Sequence, residues 1–68
     1  MIKKIIKHFG GLRATARALH VAHPSVVIWQ RNGIVPPRRA IEIEIITKGK
    51  FRAIDIYRSN RGDESSVK

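Results

Sequence analysis

Breakers are spaced so closely along this chain that no regular element can be long. Gly10-Gly11, Pro24, Asn32-Gly33, Pro36-Pro37 and Gly49 each interrupt it, glycine by freeing the backbone and proline by fixing φ and removing a donor. Pieces this short must pack together around one core, and a chain of 68 residues holds one small domain that leaves much of its surface unburied. No apolar run approaches the ~18 residues of a membrane span, and no signal-like segment opens the chain. The lack of cysteine excludes a disulfide scaffold, a thiolate metal site and a cysteine nucleophile. Lys and Arg number 14 against 5 Asp and Glu, for a net charge of +9. Such a balance draws a chain to polyanions. A nucleic-acid-binding module, a membrane-surface peptide and an interaction protein remain.

Between the breakers the residue spacing predicts helices. Ile2, Ile5 and Ile6 recur at helical intervals with Lys3, Lys4 and Lys7 on the other face, and Phe9 leads into a glycine cap and turn. Residues 12–19 predict a second helix, with Leu12, Ala16 and Leu19 inward and Arg13 and Arg17 one turn apart outside. His20-Val21-Ala22 reads as a tight connection. Pro24 suits a first helical turn, so a third helix starts near His23 and runs to about Arg31, where Asn32-Gly33 stops it. Ile34-Val35 is extended ahead of proline, and Pro36-Pro37 can open a fourth helix.

Residues 41–45 argue both ways. Ile41-Glu42-Ile43-Glu44-Ile45 alternates with period two, and Lys48-Gly49 could turn such a strand into a hairpin with 51–57. The Pro-Pro start, the helix formers Ala40, Glu42 and Glu44, and Gly49 as a cap favour helix instead. Periodicity alone slightly prefers the strand. The domain spans 1–58, and the polar, unpatterned residues 59–68 predict a disordered tail.

Function concentrates in residues 12–31. Two short helices crossing steeply, as in a DNA-reading helix-turn-helix, need fixed sizes at fixed places. A small residue is required at the crossing, where Ala16 stands. Large apolar residues are required at the end of the first helix and after the turn, where Leu19 and Val21 stand. Anchors three apart are required in the second helix, and Val26 and Trp29 supply them. The turn usually carries glycine in a left-handed conformation; here it is His20, a residue type enriched among the exceptions.

With His8-Phe9-Gly10, Arg13-Ala14, Ala16-Arg17-Ala18-Leu19, Val26, Trp29, Ile34 and Glu44-Ile45-Ile46-Thr47 before Gly49, residues 1–58 resemble the Cro repressors of lambdoid phages, above all their all-helical members. The resemblance favours helix over 40–49, and hence an all-α fold of four to five short helices around a central helix-turn-helix. The alternative is α+β with a C-terminal β-hairpin at 41–57. What it implies is a transcriptional repressor that binds double-stranded operator DNA as a weak homodimer, at the nucleoid in the cytoplasm of a bacterial host. Antitoxin-like regulators related to Cro share the helix-turn-helix and a Pro-Pro-Arg-Arg-Ala-type helix. They imply the second reading, a DNA-binding regulator that also docks a protein toxin.

Carried over residue by residue, the resemblance lays the second motif helix in the major groove with His23, Pro24, Ser25, Val27, Ile28 and Arg31 toward the bases and Ala22 at the entrance. Of these side chains only Arg31 reads a base bidentately. Val27 and Ile28 would meet thymine methyls, and His23 or Ser25 would bond a base or a phosphate. Recognition is then expected to rest on apolar contact and DNA shape, with modest specificity. Phosphates fall to Arg13, Arg17, Arg38 and the backbone N–H groups near Leu12, with Lys3, Lys4, Lys7 and Arg39 as flanking charges. The expected dimer surface is the apolar C-terminal half: Ile43, Ile46, Phe51, Ile54, Ile56 and Tyr57.

Other chemistry finds little support. Trp29 reads as core rather than as a stacking platform. His8, His20 and His23 lack metal-ligand spacing, and Glu42 and Glu44, two apart, fall on different faces of a helix as surface charges. No phosphate-cradling loop or nucleophile motif occurs. No enzyme activity, metal, cofactor, small-molecule ligand or membrane association is expected. The lysine-rich residues 2–8 alone suit a membrane surface, but the packed-motif pattern that follows has no use there.

Overall fold

A computed structural model describes residues 1–60, which form five α-helices: α1 (Ile2–Phe9), α2 (Leu12–Leu19), α3 (His23–Asn32), α4 (Pro37–Ile46) and α5 (Ala53–Asn60). The fold is all-α, and no strand occurs among the described residues. Four of the five helices close with the same bond, in which an N–H reaches back five residues. Gly11 donates to the Ile6 carbonyl at 2.9 Å, Val21 to Ala16 at 3.0 Å, Ile34 to Trp29 at 3.2 Å and Gly49 to Glu44 at 2.8 Å. The glycine breakers thus act as caps that end a helix and redirect the chain, whereas Pro24 and Pro37 stand in the first turns of α3 and α4.

Gly11 lies at φ 126°, ψ 178°, a conformation open essentially to glycine alone. It turns the chain from α1 straight into α2. At the next junction His20 takes the left-handed conformation itself, at φ 56°, ψ 45°. The helix-turn-helix turn therefore has the backbone expected of it, made by a residue with a side chain.

The core draws on every helix. Ile2, Ile5 and Ile6 of α1, Ala16 and Leu19 of α2, Val26 and Trp29 of α3, Ala40 and Ile43 of α4 and Ile56 of α5 are buried, with Val35 and Phe51 from the connections. Thr15 is buried too, a position the sequence reading passed over. Its hydroxyl donates to the Gly11 carbonyl at 2.7 Å, so the polar atom is satisfied within its own helix.

The alternation at 41–45 is resolved as helix. Ile43 is fully buried, whereas Ile41 and Ile45 are 53% and 70% exposed. The period of two thus arises because α4 carries apolar residues on its outer side as well as its inner one. The hairpin alternative at 41–57 is overturned: 47–52 form a turn, in which Thr47 Oγ1 donates to the Ile43 carbonyl at 2.6 Å and accepts from the Phe51 N–H at 3.3 Å.

Helix α5 runs back antiparallel to α4 and is pinned at both ends. Glu44 Oε1 accepts from the Ala53 N–H at 2.7 Å, capping α5. At the far end the Asn60 amide brackets Val35: its Oδ1 accepts from the Val35 N–H at 2.9 Å and its Nδ2 donates to the Val35 carbonyl at 2.6 Å. Ser59 and Asn60 therefore belong to α5 and not to a tail, because Asn60 satisfies a buried stretch of backbone. Residues 61–68, the rest of the expected tail, lie outside the described residues.

Candidate nucleic-acid interface

Helices α2 and α3 meet as the packing rule demands. Ala16 and Leu19 are buried at the crossing, Val21 is half-buried after the turn, and Val26 and Trp29 anchor α3 in the core. Because Val26 and Trp29 point inward, helical periodicity turns Pro24, Val27, Ile28 and Arg31 outward along one stripe. Pro24, Ile28 and Arg31 are exposed, while His23, Ser25 and Val27 are half-buried, and Ala22 is exposed at the N-cap. All the residues assigned to the bases from the sequence thus lie on one helix, with Ile28 projecting at 53% exposure.

The cations assigned to phosphate lie at the surface of the neighbouring helices. Arg13 and Arg17 are exposed on α2, and Arg38 is exposed in the first turn of α4. The first turn of α2 has no side-chain cap, so the N–H groups that begin at Leu12 lack intrahelical partners. Lys3, Lys4 and Lys7 form the exposed side of α1.

Two features of this surface escaped the sequence reading. Gln30 is exposed on the flank of the α3 stripe, and its amide is of the type that pairs with adenine. It lies between Val26 and His23 on the helical wheel, off the face directly opposite the anchors. The second feature is the sign of the whole half-molecule. Residues 1–41 contain no Asp or Glu, although they hold Lys3, Lys4, Lys7, Arg13, Arg17, Arg31, Arg38 and Arg39. The first acid, Glu42, is tied to Arg39 at 2.8 Å, the single ion pair among the described residues. Glu44 is occupied by the α5 N-terminus. The cations of α1–α3 are therefore not neutralised from within the described fold.

The expected dimer surface is corrected by burial. Ile43, Phe51 and Ile56 are 0%, 8% and 0% exposed, so they are core of the single chain. Five short helices hide more apolar bulk than the composition suggested, because α5 folds back over α4 and Phe51 seats against His8, ring centroids 5.5 Å apart. Ile46, Ile54 and Tyr57 remain exposed.

A cavity of about 450 Å³ opens elsewhere, between the end of α2 and α4, lined by Ala18, Leu19, His20, Arg39, Glu42, Ile45 and Ile46. Its one acid is the Glu42 already paired with Arg39. Among the described residues no three His, Asp or Glu gather as a metal would require, and no helix is long and apolar enough to cross a membrane.

Comparison with known proteins shows the family. Residues 2–61 match the P22 Cro family, described as DNA-binding transcriptional regulator Cro. Over 50 residues the chain is 36% identical to the regulatory protein cro of Salmonella phage P22, covering 74% of this chain and 79% of that protein. No solved structure gives a significant match. With the family match spanning nearly all of the described fold, the chain belongs to the Cro family of DNA-binding transcriptional regulators.

Proposed function

We propose that this chain is a repressor of the phage Cro type that binds operator DNA as a dimer and blocks transcription by occupying promoter sequence in the bacterial cytoplasm. The observation that carries the reading is the acid-free surface of residues 1–41 around an outward-facing α3. A surface of one sign attracts the phosphate backbone and supplies most of the affinity. Arg13, Arg17, Arg38 and the backbone N–H groups from Leu12 onward hold phosphates. His23, Pro24, Ser25, Val27, Ile28 and Arg31 face the bases, with Arg31 the one bidentate hydrogen-bonding side chain among them.

Dimerisation rests on the outer side of the α4–α5 pair. Ile54 and Tyr57 are 46% and 44% exposed there, and Ile41 and Ile45 extend the apolar surface along α4. A dimer formed through this face would be two-fold symmetric, as reading a palindromic site with two α3 helices requires. Selection from a random double-stranded library at two salt concentrations tests the reading. Recovery of a two-fold-symmetric site is expected, with a log–log salt slope near −5 for about six phosphates neutralised per dimer. Salt-sensitive binding with no enriched sequence would overturn it and leave Val27 and Ile28 as a protein-docking surface, in line with an antitoxin-type regulator.

A further inference from the structure

Hydrogen-bonding capacity is nearly absent from the centre of the α3 stripe. Pro24, Val27 and Ile28 succeed one another on it at helical spacing, Ile28 at 53% exposure, with Arg31 one turn beyond. In the major groove a pyrimidine shows two marks: an acceptor or donor at position 4, and the presence or absence of a methyl at C5. Aliphatic side chains cannot distinguish the O4 of thymine from the amino group of cytosine. They do gain by covering a methyl, whose burial removes apolar surface from water.

Resting on the operator-binding reading above, we infer that Val27 and Ile28 make α3 a reader of pyrimidine C5-methyl groups. It accepts thymine and 5-methylcytosine alike and discriminates against uracil and unmethylated cytosine at the same position. Arg31 fixes the register through its guanidinium, and the methyl decides between pyrimidines where the isoleucine and valine touch. A consequence follows for modified DNA. An enzyme that methylates cytosine at C5 would convert a disfavoured C·G pair into a favoured one at a contacted position, so binding responds to the methylation state of the duplex.

The test uses a duplex recovered by selection from a random library, resynthesised in matched pairs that differ by one methyl. Thymine is compared with uracil opposite adenine, and 5-methylcytosine with cytosine opposite guanine, at each pyrimidine in turn by fluorescence anisotropy. At one or two pyrimidines per half-site the methyl is expected to tighten binding about fourfold in both comparisons, the effect of burying one such group. The salt slope should stay unchanged, since no phosphate contact is altered. Ile28→Ala, at an exposed position that leaves the core intact, or Val27→Ala should bring the ratio at that pyrimidine toward one. Uracil binding as well as thymine at every position overturns the inference and leaves the operator reading standing. So does a methyl effect confined to the thymine comparison, or one that survives both alanine variants and so arises from DNA stiffness. A selection that enriches no sequence overturns the operator reading itself, and this inference with it.

Discussion

His20 holds the helix-turn-helix turn at φ 56° with its side chain exposed, and Lys48 holds the exit of α4 at φ 54°. In this region a Cβ approaches the carbonyl oxygen, at roughly 1–2 kcal/mol per residue, while glycine loses more chain entropy on folding. The net of the two makes His20→Gly stabilising by about 0.5–1 kcal/mol, read as a higher midpoint in urea with unchanged m. A loss of stability would mean that the imidazole, on the rim of the cavity with Glu42 and Arg39, contributes packing that outweighs the strain. Asn60 is the opposite case. Val35 is 1% exposed and both its backbone groups are bonded by the one amide. Asn60→Ala leaves a donor and an acceptor without partners and should cost ~2 kcal/mol. Asn60 was not legible, because a polar residue eight from the end of a polar stretch carries no pattern. Its role depends on a partner 25 positions away in the chain.

At the scale of elements, legibility followed local cause. Helices α1 to α3 could be read because each is closed by residues adjacent to it, Gly10-Gly11, His20 and Asn32-Gly33, and because Ala16, Leu19, Val21, Val26 and Trp29 satisfy one packing rule within a short window. Helix α4 was ambiguous for a physical reason: Ile41 and Ile45 face outward, so the inward periodicity of Ala40 and Ile43 is overlaid by a second apolar set. The cap on α5 was hidden likewise, since Glu44 reads as a surface charge until α5 folds back to bring Ala53 to it. Glu44→Ala should therefore loosen α5 more than α4. The expected result is a loss of about 1 kcal/mol, with faster amide exchange in residues 53–56 and little change in α2 or α3. Uniform loss of protection would show instead that α5 unfolds only with the whole domain. On α2, Arg13→Ala and Arg17→Ala should each lower affinity across all sequences and, because a dimer loses the contact twice, reduce the salt slope by about two. A loss confined to one base position would place that arginine in the groove rather than on the backbone.

Across the described residues the acids are confined to α4 and α5, and most of the exposed large apolar side chains lie in the same half. The cations of α1–α3 lie in the half that lacks acids, whereas Glu42, Glu44 and Asp55 lie on α4 and α5 beside the exposed Ile41, Ile45, Ile54 and Tyr57. A monomer with this distribution would approach DNA through one half and leave several large apolar side chains in water on the other, which is the arrangement a self-complementary contact covers. In an isologous interface each residue acts twice, so one charge placed near the axis desolvates two charges in the dimer and none in the monomer. Ile54→Glu should accordingly leave thermal unfolding of the dilute protein nearly unchanged, as an exposed substitution away from the core does. It should also weaken binding to a symmetric site by tenfold or more while sparing binding to a single half-site. Ile56→Ala gives the contrast: fully buried in the chain itself, it should cost 2–5 kcal/mol, about the usual range for such a truncation, with or without DNA. Sedimentation of both variants with one-site and two-site duplexes separates the roles. If Ile54→Glu binds the symmetric site as tightly as the parent protein, the two copies meet through another surface, and the α4 face formed by Ile41 and Ile45 without α5 becomes the one to alter next.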